Sequence, residues 1–199
     1  MTRMLAALAL FFAGTAAVLS FDSATQAIID RYKAQKPVAG ADLAKLMQAS
    51  ERWCYAEDAG ACSWSDIYLD VTPEGAQFEI SNAWSEAIDI AYVESGVFKD
   101  RRLCETGLDW IHTVYGINRA DNTAIRGRAL HAIKEQLTAN QLEPVIDCFD
   151  YLYVSSDPQR QTVTLLQRQY ADNVYQADAD VTVTLHFDPD TATGLALRW

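Results

Sequence analysis

The chain has 199 residues, 16 Lys and Arg against 27 Asp and Glu, a formal charge of -11, and half of its residues are apolar. That composition excludes a disordered polymer, and one domain of this length buries about 70% of its unfolded surface without needing a metal. The acidic balance argues against nucleic acid and anionic membrane surfaces as partners, since both carry the same sign of charge.

The first predicted element is at the amino terminus. Arg3 precedes an uncharged run over residues 5–19, which has the length of a signal-peptide hydrophobic region. It falls short of the about 20 apolar residues that a membrane span needs. Val18 and Ser20 sit where signal peptidase reads the chain, with Thr15 and Ala17 as the alternative. Residues 1–20 are therefore expected to be a signal peptide, and residues 21–199 a single domain. Losing Arg3 takes the charge from -11 to -12. The first cysteine is Cys54, too far along for lipid attachment at the cut. The expected location is the periplasm or the exterior, with no stable membrane insertion once the signal is removed.

Residues 23–35 place Ala24, Ile28, Ile29 and Tyr32 at helical spacing, and Lys36-Pro37-Val38-Ala39-Gly40 breaks the run. Asp42 is positioned to cap a second helix reaching Trp53, with Leu43, Leu46 and Met47 on one face. From residue 66 the period changes to two. Ile67, Leu69 and Val71 alternate with Asp66, Tyr68 and Asp70, and Thr72-Pro73-Glu74-Gly75 forms a turn. Ala76, Phe78 and Ile80 then supply the return strand. Residues 87–93 and 97–105 suggest a second hairpin through Glu94-Ser95-Gly96, and residues 110–115 a further strand. A helix capped by Asp121 or Asn122 is expected to carry Ile125, Ala129, Ile133 and Leu137, to end near Asn140, and to be blocked by Pro144. Strands at 148–154, 162–168 and 181–187, a turn at 188–194 and a closing strand at 195–199 complete the chain. The predicted fold class is α+β, a single domain of mostly antiparallel sheet with helices packed on one face.

In an oxidising compartment, Cys54, Cys62, Cys104 and Cys148 are expected to form two disulfides. Three pairings exist, and proximity in the chain favours Cys54–Cys62 with Cys104–Cys148. The second bridge would clamp the central helix. No C-x-x-C pair occurs and the three histidines are scattered, so neither metal nor cofactor is expected. His186 lies on the solvent parity of its strand, His131 on the polar side of its helix, and His112 on an apolar parity. Asp178, Asp180, Asp188 and Asp190 suit hard cations, but their setting is that of a chain turn. No G-x-S-x-G elbow or phosphate-binding glycine loop is present.

The segment from Trp53 to Asp66 has the densest chemistry. Trp53, Tyr55, Glu57, Asp58, Trp64 and Asp66 gather aromatic rings and acids around the Cys54–Cys62 loop, a pattern suited to a sugar or another small ligand. Catalytic residues are not identifiable. The leading expectation is a non-enzymatic envelope protein binding a partner protein or small ligand. A hydrolase of envelope polymers using Glu57, Asp58 and Asp66, and an acidic inhibitor or chaperone of a cationic partner, are the alternatives.

Overall fold

A computed structural model describes residues 20–107, 109–140 and 146–199. The chain forms helices α1 (Ser23–Ile29) and α2 (Gly40–Ala49), then strands β1 (Arg52–Tyr55), β2 (Ala61–Cys62), β3 (Trp64–Val71), β4 (Gly75–Ala83), β5 (Ile88–Lys99) and β6 (Arg102–Glu105). A 3-10 turn at Ile111–Thr113 leads to β7 (Tyr115–Asn118), β8 (Ala124–Ile125) and α3 (Gly127–Asn140). Strands β9 (Asp147–Asp157), β10 (Thr162–Ala171) and β11 (Val174–His186), helix α4 (Pro189–Gly194) and strand β12 (Ala196–Leu197) follow. The expected signal segment and Pro144 lie outside the described residues.

The α+β expectation is overturned. Strands β1, β3, β4, β5, β6, β9, β10 and β11 pair in that order, every ladder antiparallel. Strand β11 then returns to β1, from Arg52↔His186 to Tyr55↔Val183. The result is a closed eight-stranded up-and-down barrel. Closure leaves no open sheet face for a helical layer, because the inner face is turned upon itself as a lumen. Helices occupy the ends and flanks instead.

Local chemistry explains where the chain departs from its simple periodicity. Asp22 caps α1, its carboxylate accepting from the Ala24 and Thr25 amides at 2.8 and 3.1 Å. The helix stops at Ile29, not near residue 35. Residues beyond it zip onto the edge of β9, with the Gln35 amide donating to the Tyr153 carbonyl and the Val38 amide to that of Tyr151. Asp42 lies inside the first turn of α2 and caps nothing. Its carboxylate accepts from Arg31 Nη2 at 2.7 Å and from the Tyr32 hydroxyl at 2.8 Å, tying the two helical segments together. Trp53 belongs to β1, not to the helix.

The expected turn at Glu94-Ser95-Gly96 does not form, and β5 runs through it. Gly96 is needed for close approach: a Cβ there would meet the Leu103 side chain at 2.8 Å, and one on the paired strand at Gly75 would stand 2.3 Å from the Gly96 carbonyl oxygen. A register shift between Tyr68 and Asp70 bulges β3 at Leu69, which is 52% exposed. Asp66 and Tyr68 consequently face the interior, while Ile67 and Leu69 do not join Val71 on one buried face. In place of the expected strand at 110–115 there is the 3-10 turn Ile111–Thr113, with β7 starting only at Tyr115; His112 is exposed, so its apolar parity does not bury it. Helix α3 starts at Gly127 without a cap from Asp121 or Asn122. It buries Ile133, with Leu130 and Leu137 beside it and Ala129 exposed. The 188–194 turn is helical, with the Asp188 side chain accepting from the Thr191 amide, and β12 pairs in parallel with β2.

Two plugs flank the barrel. Leu43, Leu46 and Met47 of α2 share a buried cluster with Trp53, Val163 and Leu185 of the barrel wall. The 106–146 insertion, which leaves from β6 and returns at β9, packs Val114 and Ile133 on Ile90 of β5, and Trp110 stacks on Tyr92 at 4.3 Å. Both expected disulfides are present, Cys54–Cys62 and Cys104–Cys148. The second joins facing residues of the β6–β9 ladder and staples the base of the insertion, rather than clamping α3 directly. Among the described residues no helix is long and apolar enough to cross a membrane.

Candidate functional site

Alternation along the barrel strands sends one parity inward. On β10 that parity reads Val163, Leu165, Gln167 and Gln169, passing from apolar at one end to polar at the other. The polar end contains a partly open cavity of about 190 Å³. Tyr55, Trp64, Asp66 and Tyr68 enter it from β1 and β3, Glu105 from β6, Phe149 and Tyr151 from β9, and the two glutamines from β10.

A hydrogen-bond chain organises the walls. The Tyr55 hydroxyl donates to Asp66 Oδ2 at 2.8 Å, and Gln167 Nε2 donates to the Tyr151 hydroxyl at 3.0 Å. Tyr55 lies flat against Trp64, ring centroids 4.7 Å apart. Asp66 Oδ1 is buried without a hydrogen-bond partner, although the residue is only 5% exposed. An orphaned acceptor of this kind costs about 1–3 kcal/mol, which singles Asp66 out among the residues lining the cavity.

The electrostatics follow from that burial. Desolvation pushes the Asp66 carboxyl up to about 7, opposed by the Tyr55 hydrogen bond. Glu105 is raised to about 8, first by burial and then by the neighbouring carboxyls of Glu94, Asp147 and Asp66. Glu94 is also raised by burial. The Tyr55, Tyr68 and Tyr151 hydroxyls are driven upward by the same desolvation, so they remain neutral donors. No Lys, Arg or His lines this cavity among the described residues.

The structure divides the six residues singled out from the sequence. Tyr55, Trp64 and Asp66 line the lumen. Trp53 lies fully buried beneath it, edge-on to Tyr68 and Tyr151, its indole N–H donating to Ser50 Oγ at 2.6 Å. Glu57 and Asp58 sit on the outer wall near the Cys54–Cys62 bridge. Glu57 Oε2 lies 2.9 Å from His186 Nε2, and exposed Asp58 pairs with Arg198 at 3.8 Å. Glu57, Asp58 and Asp66 thus share no cleft. His186 has the outward parity expected of it but is fully covered. Sγ of Cys54 approaches Glu57 and His186, yet that sulfur is held in a disulfide and offers no thiolate to a metal.

Glu105, Tyr151 and Gln167 were not singled out from the sequence. The one available signal was the polar continuation of an apolar parity, Gln167 and Gln169 after Val163 and Leu165. Compared with protein-family models, curated proteins and solved structures, the chain matches none.

Proposed function

We propose that this chain is an exported, disulfide-bonded binding protein that takes one small molecule into its barrel lumen. The observation that carries the proposal is that Asp66, whose buried Oδ1 has no hydrogen-bond partner, lines a barrel cavity of about 190 Å³. Eight-stranded barrels are just wide enough to be filled by side chains or to hold one small ligand. Aromatic walls with a few convergent polar groups are the usual anatomy of such sites. The volume, below the roughly 300 Å³ at the lower end of drug-sized pockets, selects a compact ligand. Two disulfides fit an oxidising compartment, and the Arg3-led apolar segment supplies a route to it. Binding is the assigned role, since among the described residues the cavity's polar groups are acids, amides and neutral hydroxyls set in an aromatic wall.

The test is a library of compounds of up to about twelve non-hydrogen atoms, containing cations, anions and neutral molecules of matched shape. Each is screened by thermal shift and by the Trp64 indole N–H resonance of ¹⁵N-labelled protein. Some members should raise Tm and move that resonance, and Ala179→Phe, which places a ring in the cavity, should abolish both effects while retaining two disulfides and a cooperative transition. A library in which no compound moves the Trp64 signal overturns the proposal.

A further inference from the structure

The lumen is acidic, and no base among the described residues lines it. Asp66 and Glu105 both line the cavity, and Glu94 and Asp147 lie near enough to act on Glu105. None of these four joins an ion pair among the described residues, although eight other contacts there pair a base with an acid. Leu108 and residues 141–145 contain no basic residue either.

Tyr55 is committed to Asp66 Oδ2 and Gln167 to the Tyr151 hydroxyl, and of the residues lining the cavity Asp66 is the one with a fully buried, unpartnered polar atom, Oδ1. Asp66 is 5% exposed and lines the cavity, so a molecule that completes its ionised carboxylate brings a donor. A donor with positive charge answers both deficits together. A carboxylate or phosphate answers neither and adds repulsion. Aromatic faces supply the rest, since Trp64, Tyr55 and Phe149 present ring quadrupoles to which a desolvated ammonium is attracted.

We infer that the ligand is a small organic cation, a primary alkyl- or arylalkylammonium, whose N–H groups are taken by the Asp66 carboxylate. This rests on the lumen being a ligand site, as proposed above. At the roughly 30 Å³ that each water occupies in the liquid, the cavity holds a molecule of about six to eight non-hydrogen atoms. Asp66 is the binding residue, and Glu105, which burial holds up to about 8, lines the same cavity and gives up its proton more readily once a cation is present.

Benzylammonium, benzyl alcohol and benzoate share one ring and differ in charge, so they test the inference directly. Calorimetric titration at pH 7.5 should give a Kd for benzylammonium at least tenfold lower than for benzyl alcohol, with benzoate weakest of the three. Asp66→Asn should cost benzylammonium at least tenfold while holding benzyl alcohol within about twofold, and Glu105→Gln should cost the ammonium about threefold. Should Asp66→Asn fail to fold, the charge ranking on the native protein and on Glu105→Gln decides alone. If benzyl alcohol or benzoate binds as well as the ammonium, or if matched cations in the library rank no better than their neutral counterparts, the inference falls while the lumen remains a ligand site. If no compound of any charge moves the Trp64 resonance, both fall.

Discussion

Asp66 and Asp150 are two buried aspartates on opposite faces of the same barrel wall. Phe149 and Tyr151 line the lumen, so Asp150 between them points outward. It is fully buried there and completely satisfied. Arg168 grips it with two parallel bonds of 2.7 and 2.8 Å, Tyr170 donates at 3.2 Å and Arg101 approaches to 3.5 Å. Asp66 has one tyrosine hydroxyl and an empty acceptor. Burial alone therefore does not distinguish structure from site. A carboxylate whose partners all come from its own chain holds the fold, whereas Asp66 lines a cavity with one oxygen unpartnered.

Mutation of the outer aspartate gives the largest contrast. Asp150→Ala should destabilise the protein by about 3 kcal/mol, because it strands the Arg168 guanidinium in a partly buried setting. Denaturant unfolding measures this, and a loss below about 1 kcal/mol would place Asp150 in the same class as Asp66.

The pH dependence of stability sharpens the same comparison from the lumen side. Asp66 and Glu105 are raised in the native protein, so between the unfolded values near 4 and the folded values of about 7 and 8 the native state retains protons that the unfolded chain gives up. Their contribution is full below the unfolded values and is lost as pH rises through the folded ones. Glu94 and Asp147 beside Glu105 act in the same direction on it, and the Tyr55, Tyr68 and Tyr151 hydroxyls facing Asp66 stay neutral throughout. The Tm of the unliganded protein should fall by roughly 5 °C from pH 5.5 to 8. Asp66→Asn should flatten that slope, raising Tm at pH 8 and changing it little at pH 5.5. A wild-type profile that is already flat would break the contrast.

The smallest effect belongs to the outer wall. Arg102 lies over the Tyr170 ring, 3.5 Å from its centroid, and extends the cover around Asp150. Arg102→Ala should cost about 0.5–1 kcal/mol, seen as a small shift of the denaturation midpoint with an unchanged slope.

What could be read from the sequence follows the range of the forces involved. The β3–β4 hairpin, the Ala76-Phe78-Ile80 parity and both disulfides rest on near neighbours or on a short list of options, and all are found as expected. Closure rests on β1 meeting β11 more than a hundred residues later, which no local pattern encodes. The alternation rule assigns apolar residues to the inside, so a barrel with a polar lumen and a bulge at Leu69 misdirects it at Asp66 and Tyr68. Glycine misled in the same way at Gly96, where close backbone packing and a turn leave the same mark in sequence. His186 has the outward parity that its pattern implies, and parity cannot reveal that Glu57 and its surroundings cover it. Half of the aromatic-acid cluster reached the lumen because β1 and β3 are adjacent, while Glu57 and Asp58 fell on the loop between them, outside the wall.

The meander also fixes an order of events in synthesis. Seven barrel strands, β1 through β10, precede the strand that closes them, so a chain emerging amino terminus first is a curled open ribbon with β1 as a bare edge. Until residues 174–186 are available, the acid and aromatic wall is a surface, not an interior. A chain cut before Val174 is therefore no smaller version of the protein. It is an open sheet with two unpaired edges, the form that proteases and aggregation would meet first.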